Sequence, residues 1–275
     1  MKNQLGDEVI QNGVFKRIRE DLIYKTAPVY EVIRLIGGMP LFFDEHMERF
    51  ESSLDLVSAK CPFKSTDIFM QIQQLVEKEN VSDNNVRLEY GETSDGWFLT
   101  LFLVISSYPD ESVYKSGVKV NTANVVRKNP HAKVVNEKYL SQIADLKTET
   151  GAYEIILKDE TGRIAEGSKS NLFFVKGNCL YSAREEDILI GITRLKVIEA
   201  MRGLGLSYRE DDIFERNLSN YEAAFLSGTS IGVLPIETMN EIKYNSASNH
   251  VIMKLKEKYD ELVESNLIKT RRQYR

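Results

Sequence analysis

The sequence predicts an α+β protein of two domains: a small α+β domain over residues 1–112 and a larger, barrel-like domain over 113–275. Three observations predict it. The first part reads strand, strand, helix, helix, strand, strand, which is an α+β order. A polar stretch broken by Pro109, Ser107-Tyr-Pro-Asp-Glu-Ser112, then separates the halves as a linker. Beyond it come many short strands with helices interposed, as a barrel-like or layered domain requires. A length of 275 residues allows one large or two medium domains.

The elements follow in order. Val29 to Ile36 is apolar and β-branched, Gly37-Gly38 turns it, and Leu41-Phe42-Phe43 resumes the pattern, so a hairpin is predicted. His46 to Ala59 places Met47, Phe50, Leu54 and Val57 at helical spacing, with Asp44 as the N-cap. Thr66 opens a second helix with Ile68, Ile72, Leu75 and Val76 on one face. Asn85 to Tyr90 and Gly96 to Ser106 are strands around a turn at Thr93 to Asp95.

In the second half, Gly117 to Val126 is a strand and Tyr139 to Thr150 a helix closed by Gly151. Strands follow at Tyr153 to Lys158 and Asn171 to Val175. The turn Gly177-Asn178 leads to a return strand, Cys179 to Ser182. Thr193 to Arg202 is a helix ended by Gly203, Tyr221 to Leu226 a strand, and Val251 to Val263 a last helix. The basic residues from Lys269 to Arg275 read as a solvated tail.

Composition narrows the function classes. A net charge of −5 gives no global attraction to nucleic acid or anionic membranes. Two distant cysteines, Cys61 and Cys179, make neither a zinc motif nor a disulfide framework, and suit the reducing cytoplasm. Met1 to Arg19 has no apolar signal region, and no run of about 18 apolar residues exists to span a membrane. The glycine patterns of dinucleotide and P-loop sites are missing, as is the GxSxG elbow. His46, His131 and His250 do not have metal-ligand spacing, so no metal is expected.

Four segments carry chemistry: His46-Met-Glu-Arg49, Glu166-Gly-Ser-Lys-Ser-Asn171, Gly191-Ile-Thr-Arg194 and Ser227-Gly-Thr-Ser230. With Lys133 upstream, their order and spacing resemble the class IV aminotransferases. This fold-type IV group includes branched-chain aminotransferases, D-amino-acid aminotransferases and aminodeoxychorismate lyases. The likeness runs from about Tyr30 to Ile236. It implies pyridoxal 5'-phosphate as cofactor, amino acid and 2-oxo acid substrates, a small and a larger barrel-like domain with the cofactor between them, and a homodimer.

The resemblance assigns roles to residues. The cofactor lysine of the family precedes a small or hydrophobic pair and an Asn. It stands about eighteen residues before a Gly-x-Tyr-Glu stretch. Lys133-Val-Val-Asn136 meets both conditions, since 151 − 133 = 18 reaches Gly151-Ala-Tyr-Glu154; Lys138 meets neither. An amine that bonds a carbonyl and then shuttles a proton needs a lowered pKa, which burial near a cationic cofactor supplies. Glu166 corresponds to the carboxylate that keeps the cofactor ring nitrogen protonated, and Gly167 lets backbone approach the ring. Lys169 replaces the small residue usual there. Phosphate needs cations and backbone donors; Arg49, the amides of Ile192 and Thr193 at a helix start, Thr229 and Ser230 correspond to them. Leu189 matches an aliphatic residue packed on the ring, or is ordinary core.

For substrate, Tyr30-Glu-Val-Ile-Arg34 matches the strand that faces it in relatives. Alternation puts Tyr30, Val32 and Arg34 on one face. Either Arg34 or Arg87 could take a carboxylate through its planar fork, or face outward. The chain departs from each subgroup. It has Thr26-Ala-Pro28 where many relatives have a Gly-Asp-Gly-type turn. It lacks the Arg-Gly and His that D-amino-acid enzymes carry after the Arg87 strand. Val32 stands where lyases tend to have threonine and branched-chain enzymes glycine. The expected activity is an aminotransferase, branched-chain-like or other. The alternatives are an aminodeoxychorismate lyase releasing pyruvate and, more remotely, a non-catalytic binding protein on this fold.

Overall fold

The computed structural model of the protein describes residues 4–17, 23–127 and 130–274. Met1–Asn3, Ile18 and Arg19 of the polar N-terminal stretch, and Arg275 of the basic end, lie outside the described residues. The chain forms two compact units. The first comprises residues 1–107, 132–136 and 263–275, the second 108–131 and 137–262. The Lys133 segment and the chain end thus pack with the first unit, whereas a cut after Ser112 would assign both to the second.

The first unit is a six-stranded antiparallel sheet with two helices. Its elements are β1 (Gln4–Gln11), β2 (Val14–Arg17), β3 (Val29–Ile36), β4 (Met39–Pro40), α1 (Phe43–Leu56), α2 (Ser65–Glu79), β5 (Asn84–Thr93) and β6 (Gly96–Val104). The sheet order is β2-β1-β6-β5-β3-β4. Sequence periodicity missed β1 and β2, which pair on the β6 edge and are mostly polar. The predicted hairpin forms, but its return strand is Met39–Pro40. Leu41 to Phe43 is not strand: Phe42 takes a left-handed backbone (φ 51°) and caps α1, so Asp44 falls in the first turn and is not the N-cap.

Alternation along β3, β5 and β6 gives the sheet two faces. Ile33, Leu35, Val86, Leu88, Leu101 and Leu103 form one, packed with Phe43, Met47 and Phe50 of α1 and with Phe69 and Ile72 of α2. Burying each of these aromatic or aliphatic side chains contributes about 1.5–3 kcal/mol. The other face carries Tyr30, Val32, Arg34, Arg87, Glu89, Thr100 and Phe102, with Tyr30 opposite Glu89 and Val32 opposite Arg87.

The second unit contains α3 (Glu111–Ser116), β7 (Val118–Asn124), α4 (Glu137–Thr150), β8 (Glu154–Lys158), β9 (Ile164–Gly167), β10 (Asn171–Lys176), β11 (Cys179–Ser182), α5 (Ile192–Gly203), β12 (Ser207–Glu210), β13 (Ala223–Gly228), β14 (Gly232–Met239), β15 (Ile242–Lys243) and the start of α6 (His250–Gln273), whose residues from Val263 on belong to the first unit. The order β12-β11-β10-β13-β14-β7-β8-β9, with β15 on β14, mixes parallel and antiparallel pairs. β9 ends this order, yet a short turn joins it to β10, third from the other end. The sheet must therefore curl back on itself, as the barrel-like expectation requires.

The last helix is much longer than periodicity suggested, and the basic end is no solvated tail. Tyr274 stacks on Phe69 (4.1 Å between centroids) and meets Phe43 edge-on. Its hydroxyl donates to Asp44 at 2.7 Å. Among the described residues, no helix is long and apolar enough to cross a membrane, and no His, Cys, Asp and Glu cluster could hold a metal ion.

Candidate active site

The first unit gathers Tyr30, Arg49, Lys133 and Arg87 about the start of β3. The segment carrying Lys133 lies alongside that strand. Val134 bridges Val29, the Tyr30 amide donates to the Lys133 carbonyl at 2.9 Å, and the Val135 amide to the Pro28 carbonyl at 3.1 Å. This pairing fixes a side chain that periodicity could only place in a loop. The Lys133 ammonium lies 5.0 Å from the Tyr30 ring centroid and the Arg87 guanidinium 4.2 Å from it. Lys138, by contrast, is exposed on α4.

Arg49 and His46 are three residues apart on α1 and so share a face. Both meet Glu31, which alternation turns to the sheet face opposite Tyr30. Arg49 donates Nε to Oε1 at 2.7 Å and Nη2 to Oε2 at 2.6 Å, and His46 Nδ1 lies 2.8 Å from Oε2. Burial disfavours the charged Glu31, but the Arg49 guanidinium and the bonds from His46 and Arg49 outweigh it, holding the carboxyl well below the usual range. Burial also lowers the His46 pKa despite Glu31, so the imidazole is held neutral and donates from Nδ1. Glu31 was not singled out from sequence. Its signal was a carboxylate at a core-facing position of a strand that precedes His-x-x-Arg.

In the second unit, Glu166 of β9 is 2% exposed. Its Oε2 accepts from Asn171 Nδ2 at 3.0 Å and from the Leu189 amide at 3.2 Å, and Arg127 Nε lies 3.5 Å from Oε1. Asn171 Nδ2 also donates to the Leu189 carbonyl at 2.8 Å. The Glu-Gly-x-x-x-Asn spacing is thereby explained: the turn between β9 and β10 returns Asn171 onto Glu166. Gly167 is needed because a Cβ there would lie 2.2 Å from Ser170 Oγ. Glu154 of the Gly-x-Tyr-Glu stretch holds this turn, accepting from Ser168 and Ser170 hydroxyls and the Lys169 amide. The Lys169 side chain is exposed.

Gly191 caps α5, and a Cβ on it would lie 2.2 Å from Asn171 Oδ1. No side chain caps this helix start, where Ile192 and Thr193 are buried, so the dipole and first amides suit an anion. Leu189 is 8% exposed beside it. Asn171 pairs with Ser227 of β13, and Thr229 and Ser230 form the tip of the following hairpin, whose Gly232 takes the left-handed backbone (φ 52°). Arg194, fully buried, is turned away to Glu185 (2.8 Å) and the Tyr208 hydroxyl (2.5 Å).

Arg127 and Tyr139 were not anticipated, since nothing local links them to Glu166. Arg127 donates to the Ser168 carbonyl at 2.8 Å, and so does the Tyr139 hydroxyl at 2.9 Å. Burial pushes the Tyr139 pKa up to about 12, with Arg127 opposing.

Comparison with known proteins identifies the family. The family model for class IV amino-transferases matches residues 28–239. D-alanine aminotransferase of Bacillus licheniformis is 27% identical over 223 residues, 77% of this chain and 78% of that one. Aminodeoxychorismate lyase of Bacillus subtilis is 25% identical over 255 residues, 86% of each. The crystal structure of the T.th. branched-chain amino acid aminotransferase with pyridoxamine 5'-phosphate superposes with a TM-score of 0.83 at 22% identity, covering 95% of both chains. The match over most of the length, on a shared fold, leads to one statement: this chain belongs to the class IV aminotransferases, a pyridoxal-phosphate-dependent enzyme family.

Proposed function

We propose that the protein is an aminotransferase that moves an amino group between an amino acid and a 2-oxo acid, in the manner of the branched-chain enzymes. The observation that carries this reading is the Tyr30 platform. An amine and a guanidinium lie within about 5 Å of one aromatic ring, Lys133 at 5.0 Å and Arg87 at 4.2 Å from its centroid. One group can move a Cα proton while the other holds the adjacent carboxylate.

The residues fit pyridoxal phosphate by their chemistry. A buried carboxylate braced on one oxygen suits a basic ring nitrogen. A helix start without a side-chain cap, kept open by a glycine whose Cβ would collide with Asn171, suits a phosphate. When bound, the cofactor supplies an electron sink that makes the substrate Cα proton acidic. In this reading Lys133 bonds the cofactor and serves as general base and acid for that proton. Glu166 holds the ring nitrogen, and Leu189 packs on the ring. Arg49, the Ile192 and Thr193 amides, Thr229 and Ser230 take the phosphate. Tyr30, Arg34 and Arg87 face the substrate. A homodimer in the cytoplasm completes the proposal.

Val32 lies opposite Arg87 on the polar face and offers no hydroxyl there, which favours transamination over elimination. The test is the visible absorbance of the protein with pyridoxal phosphate, before and after a panel of L- and D-amino acids. The expected result is a cofactor band that Lys133→Ala lacks and that one amino acid bleaches. Pyruvate release from aminodeoxychorismate, without such bleaching, would replace this reading with the lyase.

A further inference from the structure

The corner between β4 and α1 is held from outside. Phe42, the residue at the start of α1, takes the left-handed backbone (φ 51°), and no side chain caps the helix there. A bulky residue persists in that region only where its surroundings hold it. The holding groups come from the far end of α6. Asn266 Oδ1 accepts the Phe42 amide at 2.8 Å. Tyr274, just after α6, stacks on Phe69 and donates its hydroxyl at 2.7 Å to Asp44, in the first turn of α1. The Gln273 side chain reaches the same carboxylate at 3.4 Å. Burial and the Asp44 charge push the Tyr274 pKa up to about 12, so its hydroxyl stays a donor at neutral pH. This corner leads straight to the cluster around Glu31. The His46 amide donates to the Phe42 carbonyl at 3.1 Å, and Arg49 follows three residues later. Glu31 grips the Arg49 guanidinium from β3, but the place from which that side chain starts is set by the first turns of α1. All of these residues belong to the first unit.

We propose that Asn266 and Tyr274 are positioning residues for the cofactor phosphate: they lock the first turn of α1 and so fix where Arg49 stands. This inference rests on the role given to Arg49 above and adds a part of the chain to it that none of the four motifs contains. A helix start without a side-chain cap leaves backbone donors unsatisfied and opens readily. Opening here would reach His46 and then Arg49, the two side chains that pair with Glu31. A guanidinium binds phosphate through directed, charge-assisted bonds, so a small displacement of its base weakens the contact. Pyridoxal without its phosphate has no such dependence, which separates positioning from packing.

Visible absorbance titrations of the full chain with pyridoxal phosphate and with pyridoxal test this without turnover. Tyr274→Ala should weaken pyridoxal phosphate about tenfold, while pyridoxal stays within about twofold of wild type. Tyr274→Phe keeps the stack on Phe69 and loses only the hydroxyl. It should weaken pyridoxal phosphate about threefold, with a melting temperature close to wild type. Asp44→Asn, which keeps an oxygen for that hydroxyl, should stay within about twofold. In an Arg49→Gln background, Tyr274→Phe should cost pyridoxal phosphate nothing further. Equal weakening of both ligands, weakening of neither, or an additive effect in the Arg49→Gln background would overturn the proposal. Should Tyr274→Ala not fold, Tyr274→Phe decides. An Arg49→Gln protein that keeps the wild-type preference for pyridoxal phosphate over pyridoxal would sink the role of Arg49 and this proposal together. A chain that shows the expected pattern but is bleached by no amino acid would sink the aminotransferase reading and leave this proposal standing.

Discussion

Two buried glutamates, one in each unit, are used in opposite ways. Glu31 is enclosed by partners: both oxygens bind Arg49 and one also faces His46. It is an internal counter-ion that holds an arginine in place. Glu166 has its neutral donors, Asn171 and the Leu189 amide, on one oxygen, with Arg127 at 3.5 Å from the other. Under the proposed function, the same residue type serves rigidity in one unit and presentation to the cofactor in the other. Hydrogen bonds from a cation in the one and from neutral donors in the other, rather than burial, separate the two.

Variants can break this contrast. The reference point is Lys133, whose removal sets the largest effect. Lys133→Ala should lower turnover by about 10³-fold or more while leaving urea stability nearly intact, because the side chain is only half-buried. Glu31→Ala should cost about 3–5 kcal/mol in urea unfolding, since it removes the carboxylate that pairs with the mostly buried Arg49 charge. Glu166→Gln should behave the other way round, with turnover down about 10²-fold and stability changed little. Should Glu166→Gln unfold the protein more readily than Glu31→Ala, the contrast is wrong.

Two smaller effects sharpen it. Gly191→Ala should cost about 1–3 kcal/mol and displace Asn171 from Glu166, visible as a shifted cofactor spectrum. His46 predicts a pH slope. Its folded pKa lies below the unfolded value near 6.5, so the unfolded chain binds the extra proton first. Stability should therefore fall as pH drops below about 6.5, and His46→Gln should flatten that part of the curve. Glu31 adds loss only at lower pH, as its carboxyl protonates below its unfolded value of 4.5.

The contrast also explains what the sequence disclosed. Glu166 and Asn171 were legible because a turn of fixed length imposes their spacing, and Gly191 because it opens a helix. Arg49 and His46 were legible as His-x-x-Arg, but Glu31 was not, because its partners sit on another element 15 and 18 residues away. Arg127 acts only through space, so no local pattern marks it. The same holds for secondary structure. Most apolar strands of both sheets were found, but β14, broken by Pro235, and the short β9 were not, and polar edge strands such as β1 and β2 carry no periodic signal. The far half of α6 was hidden by its basic residues, although Asn266, which accepts from the Phe42 amide, and Tyr274, which donates to Asp44, anchor it.

The first unit is assembled from three stretches of chain, residues 1–107, 132–136 and 263–275. During synthesis its N-terminal stretch emerges first, without the segment bearing Lys133 and without the Tyr274 ring that stacks on Phe69. Phe69 therefore lacks one side of its packing until the chain through residue 274 has left the ribosome. Translation order itself delays completion of this unit, and a nascent chain halted before residue 263 holds every motif yet not the finished core on which Lys133 is mounted.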